Sequence, residues 1–197
     1  MANTRRYETG TDATIRATEE ALARARSAHS VILVEGISDQ IAVETMADRL
    51  QRDLDADRVV VVPIGGAHAV RNLPDELGGL RLSGLVDEAE AELFITASAT
   101  TPGLTSDRIH VCRRDLEDEL IRAVDPATFE ALLADEGDLP AFRTMQKQGV
   151  WRDQPFAAQM HRWLRSVSGR PNRYAERVIL APETRLPEPL VAAVEQA

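Results

Sequence analysis

The stretch "VILVEGISDQ", residues 31–40, runs through four apolar residues and then changes abruptly to Glu35, Gly36, Ser38 and Asp39. A short apolar run bounded by a glycine reads as a buried β-strand. The segment after it, "ISDQIAVETMADRLQRDL", places Ile41, Val43, Met46, Ala47 and Leu50 on one helical face, with Ser38 as the expected N-cap. Glu35 is the odd residue, because a glutamate that finishes a buried apolar strand has no capping role.

Outward from this stretch the same alternation repeats. Residues 11–28 have helical spacing, with Ile15, Leu22 and many alanines among charges. "RVVVVPIGG" reads as a second buried strand, "AHAVRNL" as a short helix, "LRLSGLVD" as a third strand and "DRIHVCRRD" as a fourth. Strands alternating with helices predict an α/β fold with a mostly parallel central sheet flanked by helices. From "DLEDELIRAV" onward the pattern is entirely helical, punctuated by Pro126, Gly137, Pro140, Pro155, Gly169, Pro171 and Pro187. The expected organisation is an N-terminal helical segment at 1–28, an α/β core at 29–124, and a basic C-terminal helical extension at 125–197 packed on that core.

Composition excludes several function classes. The 197 residues are 44% apolar, enough for an ordinary core, yet no stretch approaches the ~20 apolar residues of a membrane span. The N-terminus lacks an apolar signal core and Cys112 is the single cysteine, so a cytoplasmic location is expected and a cysteine-based zinc site is not. Lys147 is the single lysine and sits in "RTMQKQGV", outside any Gly-Lys-Ser/Thr context, so the chain carries no P-loop. The net charge is −9, but Arg143 to Arg177 holds eight basic residues against two acids. That segment reads either as a solvated arginine-rich face or as a surface for a phosphate backbone.

In a parallel sheet, ligands bind beyond the carboxyl ends of the strands. Glu35, Asp87 and Asp115 fall at three such ends, with Asp39 and Glu117 close behind two of them. Two carboxylates ~4 Å apart repel by roughly 4 kcal/mol at an effective dielectric of 20, a cost that a divalent cation removes. Each acid except Glu35 also has a local explanation. Asp39 complements the dipole of its helix, Asp115 can cap "LEDELIRAV", Glu117 can face solvent, and Asp87 can open the acidic segment "DEAEAELF". "PIGG" could present the N–H groups of Gly65 and Gly66 to a phosphate, or be only a turn. His29, His68, His110 and His161 show no metal-ligand spacing, Ser38 has no His/Asp partner, and Trp151 and Trp163 read as core residues.

Taken together, these motifs resemble the topoisomerase–primase (Toprim) domain, whose compact Rossmann-like α/β fold carries one strand ending in Glu-Gly and a later one ending in Asp-x-Asp. "VEGISDQIAVETMADRL", "VVVVPIGG" and "GLVD" carry the resemblance. The Glu-Gly-x-Ser-Asp of residues 35–39 and the Asp-Leu-Glu of 115–117 are more specifically similar to Toprim domains of the overcoming-lysogenization-defect (OLD) nucleases. The resemblance implies an endonuclease acting on DNA, with one or two Mg²⁺ or Mn²⁺ ions held by Glu35, Asp39, Asp87, Asp115 and Glu117. Glu35, Asp87 and Arg170 would be the catalytic residues, with Gly65, Gly66, Lys147, Arg170 and Arg173 meeting the phosphates. The family's second Asp falls at Ala89, so Glu88 or Glu90 would have to substitute; Glu90 joins the expected metal set. The family's late lysine is also missing from "SGRPNRY". Full-length OLD nucleases carry an ATPase domain, so a separately encoded ATPase is an expected partner, and homodimerisation a further expectation. The alternative is a catalytically degenerate Toprim module that binds nucleic acid or a partner protein.

Overall fold

The computed structural model describes residues 11–74 and 77–197. Four strands form one sheet: β1 Ser30–Val34, β2 Val59–Pro63, β3 Arg81–Asp87 and β4 Leu104–Cys112, in the order β2-β1-β3-β4. Every pairing is parallel. β1 and β2 are buried along their whole length, which is why they read as unbroken apolar runs. Their side chains nonetheless alternate between two cores. Ile32, Val34, Val59 and Val61 face one, and Val31, Leu33, Val60 and Val62 the other.

The helices cover both faces. On the second face, α1 (Thr11–Ala25) packs along β2, and α3 (Ala91–Ser98) brings Phe94 under the sheet. The buried positions of α1 are Ala13, Ala21 and Ala25, while Ile15 points outward at 53% exposure. The small alanine face brings the helix close to the strand, so the larger residue at 15 does not set the packing. The first face is covered by α2 (Ile37–Arg49), α8 (Arg170–Leu180) and α9 (Glu188–Glu195). "AHAVRNL" forms a 3₁₀ helix, Ala67–Asn72.

Between β4 and α8 lie α4 (Leu116–Ala123), α5 (Pro126–Asp135), α6 (Leu139–Gln146) and α7 (Phe156–Leu164). The helical extension does not stand apart from the sheet. Tyr174, Val178 and Ile179 of α8 are fully buried in the same core as Ile32 and Val34, and Phe129 of α5 stacks on Tyr174. Burying a large apolar side chain contributes roughly 1.5–3 kcal/mol, so these helices stabilise the sheet they cover. Arg49 of α2 locks the contact by donating to the carbonyls of Ile179 and Ala181 at 2.8 and 2.9 Å, at the end of α8 where helical partners run out. Among the described residues, no helix is long and apolar enough to cross a membrane.

Candidate metal centre

Strand order decides the site. Because β1, β3 and β4 are neighbours, the residues that leave their carboxyl ends share one edge of the sheet. Glu35 follows β1, Asp87 ends β3, and Asp115 follows β4 by three residues. Glu35 is tied directly to the next strand, its Oε1 accepting from the Asp87 N–H at 3.3 Å. The turn after β1 differs from the expected one. α2 is capped at Gly36, not Ser38, which lies one residue inside the helix. Asp39 reaches back instead, Oδ2 accepting from the Gly36 N–H at 2.9 Å. A serine at that inner position cannot meet the first free N–H groups, whereas an acid three residues beyond the cap can.

An open cleft of about 440 Å³ lies over this edge. Its acidic side is formed by Glu35, Asp39, Asp87 and Glu117. Arg165, Val167 and Gly169 of the segment that leads into α8, and Asn172 in the first turn of α8, complete its lining. Burial, hydrogen bonding to Glu90 and the charge of Asp87 push the Glu35 carboxyl up to about 9. Burial and the charge of Asp87 raise Asp39 to about 7, against the lowering effect of its Gly36 hydrogen bond. Burial, then Asp115 and Glu117, raise Asp87 to about 7.

Glu90 lies beside Glu35, close enough to affect its ionisation. It ends a 3₁₀ turn, Glu88–Glu90, and its Oε2 is buried without a hydrogen-bond partner. Glu88 turns away, with Oε2 accepting from the Arg114 N–H at 3.1 Å. All of these donors are carboxylate oxygens, and one buried oxygen lacks a partner. That set fits a hard divalent cation such as Mg²⁺ or Mn²⁺ better than a softer metal.

The raised carboxyls fix the sign of a pH effect. Each ionises near pH 4 in the unfolded chain and only near 7–9 in the folded one, so the unfolded state sheds protons first as pH rises. Their contribution to stability is complete below about pH 4 and is lost as pH rises through 7–9. In chelator, the melting temperature should therefore fall between pH 5 and pH 9, and saturating Mg²⁺ or Mn²⁺ should flatten the fall by replacing the protons. A melting temperature in chelator that is level across this range would contradict the clustering.

Asp115 has a different environment. It is buried and caps α4, Oδ1 accepting from the Asp118 N–H at 2.9 Å. Its Oδ2 lies 2.6 Å from His161 Nε2 and accepts from Arg165 Nη1 at 3.1 Å. Arg165 also approaches Glu117, at 3.7 Å. Among the described residues, Asp115, Glu117 and His161 are the group of three whose candidate ligand atoms lie within 4.8 Å of one another. They form a candidate metal triad, in which a cation would have to replace the hydrogen bond between Asp115 and His161. Glu117 belongs both to this triad and to the cleft.

Sequence reasoning missed His161 and Arg165 because neither stands near an acid in the chain. One signal was present: they lie four residues apart in "HRWLR", one turn apart at the end of α7 with Arg165 as its C-cap, next to the buried Met160 and Leu164.

The residues expected to bind phosphate are placed as follows. Gly66 lines the cleft, but the N–H groups of Gly65 and Gly66 donate to the Glu35 carbonyl at 3.0 and 3.1 Å and so brace the β1 turn. Arg170 lies over the Trp163 ring, 3.8 Å from its centroid, and donates to the Trp163 carbonyl at 2.6 Å. Arg173 faces Glu136 and Asp138, both at 3.5 Å. Lys147 caps the end of α6 at the surface. The basic character of 143–177 is largely offset in space, since Arg143 pairs with Glu130 and Arg177 with Glu136. Within this segment Arg165 borders Asp115 and Glu117.

Known proteins give the same architecture. Residues 28–81 match the family model for the overcoming lysogenization defect protein-like TOPRIM domain. The matched segment contains Glu35 and Asp39, while Asp87, Glu117 and Arg165 lie beyond it. Two structures of the C-terminal region of the Xanthomonas campestris pv. campestris OLD protein superpose with a TM-score of 0.61 at 19% and 20% identity, covering 85% of this chain and 91% and 93% of theirs. The C-terminal region of the Burkholderia pseudomallei OLD protein superposes with a TM-score of 0.61 at 18% identity, over 86% of this chain and 96% of that one. No curated protein matches the chain. Residues 28–81 therefore match a Toprim domain model of the OLD type, and the chain shares the fold of the C-terminal region of OLD proteins.

Proposed function

We propose that this protein is a divalent-metal-dependent nuclease that hydrolyses phosphodiester bonds in DNA. The observation that carries this reading is the convergence of Glu35, Asp39, Asp87 and Glu117, from three adjacent strand ends, on one open cleft that Arg165 also lines. One or two Mg²⁺ or Mn²⁺ ions would be held by these acids with Glu90 behind Glu35, and would supply the Lewis acidity for hydrolysis. The chain's own part is to hold the acids in register. The Asp87 N–H orients Glu35, the Gly36 N–H orients Asp39, and the Leu116 N–H orients Asp87. Arg165, rather than Arg170 or Arg173, is the basic group placed to meet the phosphate.

Ala89 supports a second reading, a module that binds DNA or a partner protein without cleaving. Incubation of supercoiled plasmid with Mg²⁺ or Mn²⁺ separates the two: the nuclease reading requires nicked or linear product that disappears on chelation. Metal binding by calorimetry without product across several DNA forms would favour the second. The resemblance to OLD proteins further suggests an ATPase working with the domain, testable by its stimulation of the same nicking.

A further inference from the structure

Beneath Arg165 the Asp115–His161 pair of the candidate triad continues into a longer chain of side chains. His161 Nδ1 stands 3.2 Å from Arg114 Nη2, and its Nε2 stands 2.6 Å from Asp115 Oδ2. A guanidinium offers only donors, so Nδ1 must accept and the ring proton must sit on Nε2. In this arrangement His161 donates to Asp115 on one side and accepts from Arg114 on the other. The same Asp115 oxygen accepts from Arg165. The Asp115 and His161 side chains are 7% and 11% exposed, whereas Arg165 is 53% exposed. The buried end is fixed and the exposed end borders the cleft.

The far end is anchored as well. Arg114 adopts the left-handed conformation at φ 67, unusual for a residue with a Cβ. Glu88 holds it from both sides, accepting from its N–H at 3.1 Å and donating a backbone N–H to its carbonyl at 3.2 Å. A helix cap at Asp115 needs only Oδ1, so capping does not explain the ordered partners of Oδ2.

We propose that Arg114, His161 and Asp115 form a positioning relay that holds Arg165 over the acidic cleft, where its guanidinium contacts a phosphate of bound DNA. This rests on the nuclease reading for the identity of the ligand, but it is tested by binding rather than cleavage. His161 acts through Arg165 and is a positioning residue.

The experiment is fluorescence anisotropy of a labelled duplex oligonucleotide in Ca²⁺ over a range of salt. Arg165→Ala should weaken binding about ten-fold and reduce the slope of log K against log salt by about 0.9, the loss of one phosphate contact. His161→Ala should produce the same two changes, and should add nothing in the Arg165→Ala background. His161→Gln should stay within about two-fold of wild type, because its amide can donate to Asp115 and accept from Arg114. If His161→Ala fails to fold, His161→Asn replaces it, since its shorter amide cannot reach Asp115.

A full His161→Ala effect in the Arg165→Ala background, an unchanged salt slope, or wild-type protein without measurable DNA affinity would overturn the relay. So would ¹⁵N spectra placing the His161 proton on Nδ1. Wild-type protein that shows the expected binding pattern but never nicks plasmid removes the nuclease reading and keeps the relay.

Discussion

Glu35→Gln and Asp87→Asn should each lower Mg²⁺- or Mn²⁺-dependent nicking of supercoiled plasmid by more than about 100-fold, the upper range seen even for groups that only support a metal ligand. Both changes preserve shape and the local hydrogen bonds. The amide oxygen introduced at position 35 would still accept from the Asp87 N–H, and the one introduced at position 87 from the Leu116 N–H. What each removes is the negative charge the carboxylate would bring to a bound cation. Metal-free Glu35→Gln should be at least as stable as wild type at pH 8, because burial and Glu90 already hold Glu35 in its protonated form at that pH. Loss of nicking with an undiminished melting temperature therefore separates a metal-site defect from a folding defect. Equal nicking by wild type and both variants would remove Glu35 and Asp87 from the site.

Much of this site was legible because the strands announce their own ends. The apolar runs at 31–34 and 59–62 stop at Glu35-Gly36 and at Pro63, and the acid that follows β1 has no local use, which points to the sheet edge. Lateral order was not legible. The pairing of β3 with both β1 and β4 brings Asp87 between Glu35 and the β4 exit, and periodicity says nothing about which strands pair. The placement of Glu88 was equally hidden, since its carboxylate accepts from the Arg114 N–H of a different loop.

Charge counting along the chain also misled. The positive segment 143–177 lies against Glu130, Glu136 and Asp138, so a surplus read in sequence largely disappears in space. Arg165 could not be singled out from its neighbours, because its distinction is its distance to Asp115 and Glu117, fifty and forty-eight residues earlier in the chain.

Asp115→Ala should be the most destabilising single change at the sheet edge, costing about 3 kcal/mol. Its two oxygens serve separate ends. Loss of Oδ1 uncaps α4, worth ~1 kcal/mol, and loss of Oδ2 leaves the buried His161 donor without its acceptor, worth about 1–3 kcal/mol. Arg165 adds little to this cost, because its half-exposed guanidinium is rehydrated once released. For a chain of this size the sum corresponds to a fall of roughly 6–12 °C in melting temperature. Asp115→Ser divides the two contributions: its hydroxyl can still cap α4 but cannot reach His161, so it should recover only about 1 kcal/mol. Asp115→Asn should also fall short of wild type, since one amide oxygen cannot serve both donors and its NH₂ would face another donor. If urea unfolding places Asp115→Ala within about 0.5 kcal/mol of wild type, the typical range of an unremarkable surface change, then water replaces the carboxylate freely and the pair with His161 is not a fixed part of the fold.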